Sequence, residues 1–245
     1  MTITVSTRLI TWMLTVAVIL LTAAGVAGQF WEHGLGQDRF VEFVRLFDPD
    51  AEANVPTWFS SLLLLLAAAL LAAMARAKHV RRDPFTPLWI ALAMVFAGLS
   101  VDEFASVHEL LDRVLRGERS THGIFYFARV IPAIVGLLVL GLFYRRLLLS
   151  LPGHTRRLFV LAAAIYVGGA LGVAMLGGFV ADAYGEENLT YALIAAAEEA
   201  LEMAGVVVFI RALLLYLAAE VGPVEIRWGA KAGPERTCVC RVPRT

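Results

Sequence analysis

Charge is what this chain has least of. Only 17% of its 245 residues are Asp, Glu, Lys or Arg, while 59% are hydrophobic. That proportion excludes an ordinary soluble domain, whose surface needs more charge. The 21 basic and 21 acidic residues cancel to zero net charge, which removes the electrostatic basis for a nucleic-acid partner. Cysteine is nearly absent, and the two that exist, Cys238 and Cys240, stand together in the C-terminal tail. A lone C-x-C pair is no disulfide framework, and we read it as incidental in a reducing compartment. The chain also lacks a clear internal repeat or a pair of Gly/Pro-broken helices, the usual marks of a secondary transporter.

What it does have is a series of apolar runs. Several approach or exceed about 18 residues, the length at which a run reads as membrane-spanning. The expected fold is all-α: a polytopic membrane bundle of six transmembrane helices, with an interfacial helix between the first two. The spans fall at 9–28, 57–75, 88–116, 123–144, 158–180 and 189–219. Residues 1–220 form one transmembrane domain, and 221–245 form a polar, basic tail without order. The first run ends in small residues like a signal-peptide cleavage site. Its apolar core exceeds the about 7–15 residues of a cleaved signal, so the helix is retained.

Between the first two spans, residues 37–47 place Asp38, Arg39, Glu42 and Arg45 on one helical face and Phe40, Val44 and Phe47 on the other. That pattern suits a helix lying in the membrane interface. Basic residues gather at Arg8, at 76–82, at 145–157 and in the tail. With six spans these segments share one side. The positive-inside rule makes that side the cytoplasm, with both termini inside a bacterial plasma membrane. Pro132 is expected to kink the fourth helix. In the fifth, Gly168 and Gly172, then Ala174 and Gly178, stand four apart and predict close helix packing.

The stretch 88–116 carries the functional argument. It begins as a membrane helix and turns acidic with no Gly or Pro to stop it. Asp102, Glu103 and Ser106 therefore fall inside the bilayer, where an ionisable group marks a site or a pathway. On a helical wheel His108, Asp112, Glu109, Asp102, Arg113 and Ser106 form one polar stripe. A second stripe on the last span holds Tyr191, Glu198, Glu199 and Glu202, and Arg129 lies at a similar depth. The two stripes are expected to converge in one cavity. Asp102, His108, Glu198 and Glu202 are candidate ligands of a divalent metal. With the histidine the set suits zinc, manganese or iron, and without it calcium. Glu109 is the candidate general base and Ser106 a second catalytic group. Glu103, Asp112, Arg129, Tyr191 and Glu199 complete the lining.

His108-Glu109-x-x-Asp112 departs from the zincin pattern, because Asp112 stands where the second histidine belongs. Asp48, Asp50, Glu52 and Asn54 alternate like the start of a calcium loop, but Ala53 replaces the turn glycine and Phe59 the closing glutamate. Asp50, Glu52 and Asn54 ahead of Trp58, with a later Ser/His/acid helix, resemble the alkaline ceramidases and related membrane hydrolases. That resemblance implies a zinc site with a serine, an aspartate and three histidines. Here the closing His-x-x-x-His is replaced by Glu198 and Glu202, and the expected helix count is one short. The leading functional expectation is a metal-dependent hydrolase acting on a lipid or other amphiphile from the outer side. The alternatives are a proton- or cation-coupled transporter, and a structural or sensory subunit with a buried salt-bridge network.

Overall fold

The computed structural model describes residues 2–4, 6–35, 41–48, 51, 53–107, 110, 114, 122–221 and 225–227. Seven helices lie among them: α1 (Thr7–Leu35), α2 (Val41–Phe47), α3 (Val55–Val80), α4 (Thr86–Ala105), α5 (Val130–Ser150), α6 (Gly153–Tyr184) and α7 (Leu189–Val221). All except α2 are long and apolar enough to cross a membrane. One short ribbon interrupts the all-α pattern: β1 (Thr2–Thr4) pairs antiparallel with β2 (Glu225–Arg227), Thr2 opposite Arg227. The ribbon joins the segment before α1 to the segment after α7. The rest of the expected tail lies outside the described residues.

The helices overrun their apolar cores, since nothing polar stops them at the hydrocarbon boundary. α1 continues through Gly28 and Gln29 to Leu35, where a long connection was expected. Gly28 is tolerated because α2 needs the space: a Cβ there would stand 3.2 Å from Val44 Cγ1. Val44 is buried, while Leu46 stays exposed. α3 starts early because Asn54 caps it, its Oδ1 accepting from the Thr57 N–H at 3.0 Å, with Pro56 in the first turn.

Two expectations about helix continuity fail. α5 starts at Val130, after a 3₁₀ turn at Gly123–Phe125. Pro132 therefore sits in the first turn, where a missing N–H is harmless, and it does not act as a mid-helix kink. α4 stops at Ala105. Ser106 caps it in the left-handed region at φ 52°, its N–H returning to the Asp102 carbonyl. The chain becomes helical again at Val107, Leu110 and Val114. A left-handed serine costs about 1–2 kcal/mol, so local sequence gave no warning of the break.

α7 is the axis of the bundle, packed against α1, α3 and α6, while α3 and α4 form an antiparallel pair. The core gathers Leu64, Leu71 and Met74 of α3, Trp89 of α4, and Ile210 and Leu213 of α7. Ser61 and Ser100 clasp α3 to α4: each hydroxyl donates to the other's carbonyl, at 2.8 and 2.9 Å. Tyr144 donates to the Leu88 carbonyl at 2.9 Å and holds the end of α5 against the start of α4.

Charge fastens the α3–α4 turn to the last turn of α7. Lys78 Nζ lies 2.9 Å from Glu220 Oε1 and 3.5 Å from Asp83 Oδ2, and Arg81 Nη1 lies 2.5 Å from Glu220 Oε2. The lysine also sits 5.0 Å over the Tyr216 ring. Glu220 thus belongs to the bundle, although the last span was expected to end at 219.

Candidate functional site: an acidic cluster around Glu202

α4 and α7 meet through side chains in an antiparallel register that repeats every seven residues. Trp89 packs on Tyr216 with ring centroids 5.9 Å apart. Seven residues on, Phe96 stacks on Phe209 at 4.8 Å. Seven further, the register lands on Glu103 and Glu202, and the charges of these two glutamates act on each other. The register explains why the pairing falls on Glu103, one residue past Asp102.

The Tyr166 hydroxyl of α6 lies within electrostatic range of the Glu202 carboxylate. Glu198, one turn back on α7, and Arg129, at the head of α5, both lie within electrostatic range of Glu202. Glu199 and Glu103 act likewise on Tyr166. Arg129 also stands 4.9 Å over the Phe127 ring. The glutamates, Arg129 and Tyr166 are half-buried. Among the described residues, Glu103 of α4, Glu198 and Glu199 of α7 and Arg129 before α5 thus lie within electrostatic range of Glu202 or Tyr166.

Glycine makes this crowding possible, but at other positions than the spacing suggested. Gly168 and Gly172 face open space. Gly169 is the contact residue: a Cβ there would lie 2.9 Å from the Glu198 carbonyl oxygen and 3.3 Å from Glu202 Cγ. On the partner helix Gly205 approaches as closely, with a Cβ falling 2.7 Å from the Tyr166 N. The second pair behaves as the spacing implies. Ala174 and Gly178 are buried, and Gly178 packs on Tyr126 and Phe127.

At Gly168–Val173, α6 widens into a π-helix, in which the Ala174 N–H reaches back five residues to the Gly169 carbonyl. π-helical turns recur at functional sites. Beyond it, Asp182 accepts from the Gly123 N–H at 2.8 Å and contacts His122 Nδ1 at 3.2 Å. The end of α6 and the connection before α5 therefore lie at the same end of the bundle.

The remaining expected residues are placed as follows. Tyr191 is buried with Phe127, Val130 and Ala181 in a separate small core. Asp102 is half-buried, and Ser106 is the helix cap. His108, Glu109 and Asp112 lie outside the described residues, as do Asp50 and Glu52. In the proposed cation loop, Asp48 accepts from Gln29 Nε2 at 2.7 Å. Asn54 is buried and turned to its own backbone, its amide donating to the Asp48 and Ala51 carbonyls. Among the described residues no three His, Cys, Asp or Glu side chains are grouped to hold a metal ion.

Tyr166 escaped the sequence reading. Its signal was a lone hydroxyl in an apolar helix, three residues before Gly169. No curated protein and no solved structure matches the chain. Residues 6–217 match the model of one family, Domain of unknown function (DUF8692), and the chain belongs to that family.

Proposed function

We propose that this membrane protein is a proton- or cation-coupled transporter in which Glu202 is the group that takes up and releases the ion. One observation carries the reading: Glu202 stands among Glu103, Glu198 and Glu199 with Arg129 as the cation acting on it. Like charges held together in a low-dielectric interior repel, and binding a proton or cation relieves them. Tyr166 is suited to orient the Glu202 carboxylate. The bundle spans the bacterial plasma membrane six times with both termini cytoplasmic, and α2 lies at the outer interface; the distribution of basic residues supports this orientation.

The test is flux in sealed proteoliposomes. Protein reconstituted with a pH-sensitive dye inside should collapse an imposed proton or sodium gradient, and Glu202→Gln should stop it. Wild-type flux no faster than that of empty vesicles sinks the reading.

The competing reading is a metal-dependent hydrolase of a lipid or other amphiphile, with Glu109 and Ser106 catalytic and Asp102, His108, Glu198 and Glu202 as ligands of zinc, manganese, iron or calcium. It rests on the His108–Asp112 sequence pattern. Metal analysis of the purified protein separates the two: one equivalent of metal, lost in both Glu202→Gln and His108→Ala, favours the hydrolase.

A further inference from the structure

α5 is attached near its two ends and stands clear between them. Its inward face is marked by Val130 and Ile134, in the small core with Phe127 and Tyr191, and by Tyr144 and Leu148, in the main core. At about 100° per residue these four positions fall on one stripe about 80° wide. Leu137 and Gly141 lie in the middle of the same stripe. They should be as well covered as its ends, and they are not. Val130 is 1% exposed but Leu137 is 36%, and a Cβ on Gly141 would meet nothing within 4 Å among the described residues. Leu140, at the edge of the stripe, is half-buried. The two anchors also hold different partners. At one end Val130 clusters with Ala181 of α6 and Tyr191 of α7. At the other the Tyr144 hydroxyl donates to the Leu88 carbonyl of α4. Among the described residues α4 and α5 share no extended contact beyond that point, and Val95, seven residues past Leu88, is 38% exposed.

α5 therefore bridges a window between Ile134 and Tyr144, about 15 Å long at 1.5 Å per residue, at the middle of a 21-residue helix. Its rim is apolar: Leu137, Leu140 and Gly141 on α5, and Val95 on α4. Water does not fill such a space, because apolar cavities stay dry. A helix from a second copy does not fit, since a span needs about 30 Å and α5 is fastened to the bundle at both ends of the window. The linker between α4 and α5 carries Glu109, Asp112, Arg113, Arg116 and Arg119, charges that an apolar gap in mid-membrane excludes. A hydrocarbon chain meets every condition: it is apolar, narrow and flexible, and the bilayer around the six spans is made of it. We propose that the window between α5 and the bundle is a binding site for one acyl chain of a phospholipid, which enters sideways from the bilayer past Val95. The chain supplies the dispersion contacts that Leu137 and Gly141 do not receive from protein, and packing of this kind is what drives association inside a bilayer. The site is independent of what the acidic cluster binds.

The test maps cross-links on full-length protein in lipid nanodiscs, from a phosphatidylcholine that carries a photoactivatable diazirine in the middle of one acyl chain. Leu138 and Leu142, off the inward stripe and 63% and 74% exposed, report ordinary contact with the surrounding lipid. Unmodified protein should give adducts at Leu137, Gly141 and Val95 as well as at Leu138 and Leu142. Gly141→Phe and Leu137→Trp each place a ring in the window. Each should abolish the adducts at Val95 and at the unsubstituted inward position, and leave those at Leu138 and Leu142 unchanged. Adducts at Leu138 and Leu142 with none on the inward stripe of the unmodified protein overturn the proposal, whether or not either variant folds. Inward adducts that survive either substitution also overturn it, because lipid would then surround α5 without a site. If neither variant folds, inward adducts on the unmodified protein support it. Leu137→Cys protein, with Cys238 and Cys240 replaced by serine, should stay monomeric under oxidation; a disulfide-linked dimer gives the window to a second copy and overturns the lipid assignment.

Discussion

The two ends of α7 handle charge in opposite ways. At one end, Lys78 and Arg81 meet Glu220 and Asp83, two cations against two carboxylates, with ion-pair distances of 2.5–3.5 Å. At the other, Glu103, Glu198 and Arg129 lie within electrostatic range of Glu202, and Glu199 within range of Tyr166. Along a helix rising 1.5 Å per residue, Glu202 and Glu220 are about 27 Å apart, so each end answers to its own surroundings. The balanced cluster is a fastener, since every charge in it meets an opposite one. The second cluster, here the unbalanced one, holds more carboxylates than cations among the described residues, and clusters of this kind occur where activity needs them.

Mutation should give opposite signs at the two ends. The largest effect belongs to the balanced end. Lys78→Met leaves Glu220 and Asp83 with Arg81 alone and should cost about 2–4 kcal/mol, near the lower part of the range for breaking a buried pair. Thermal denaturation in detergent measures it. Adding Glu220→Leu should recover part of the loss, and strict additivity of the two changes would break the fastener reading.

Gly205→Ala tests how tightly the unbalanced end is packed. Its Cβ would fall 2.7 Å from the Tyr166 N, and overpacking of this kind costs about 1–3 kcal/mol. Gly168→Ala faces open space and should stay within about 0.5 kcal/mol of the unmodified protein. Equal costs would show that α6 and α7 are not wedged at Gly205.

Ser61→Ala removes one hydroxyl of the reciprocal clasp and should cost about 0.6 kcal/mol, the average for side-chain hydrogen bonds between membrane helices. Glu202→Gln should change sign. Removing one of these four neighbouring carboxylates should leave stability unchanged or raise it by up to about 1 kcal/mol while abolishing ion flux. If Glu202→Gln unfolds the protein as readily as Lys78→Met, the two ends are alike and the comparison collapses.

How far the sequence could be read follows the same division. Apolar length alone specified the spans, because every backbone polar group in a bilayer must be satisfied internally and a helix is the cheapest way to do it. The acidic stretches on α4 and α7 were visible for the same reason, as charge in an expensive place. What could not be read was register. The wheel favoured Asp102, but the seven-residue repeat set by Trp89 and Phe96 selects Glu103, and that repeat needs knowledge of which helix is the partner. The same ignorance favoured Gly168 and Gly172 over Gly169, because spacing within one helix does not say which face meets another. The break at Ser106 has no Gly or Pro to announce it, so the wheel drawn through 102–113 ran across the end of α4. Lys78 was read only as a topology signal, since its partner Glu220 lies 142 positions away.

The placement of α7 also bears on how the protein is made. The helix that α1, α3 and α6 all pack against is the last of the described helices to leave the ribosome. At about 5–20 residues per second, the interval between completing α1 and starting α7 is about 10–30 s. Through that interval the earlier spans wait in the bilayer without their shared partner, and the ribbon between Thr2–Thr4 and Glu225–Arg227 can close only after α7 has been inserted. Assembly of the described bundle therefore waits for one late threading step, and a ribosome that stalled short of residue 189 would release spans with no axis to assemble around.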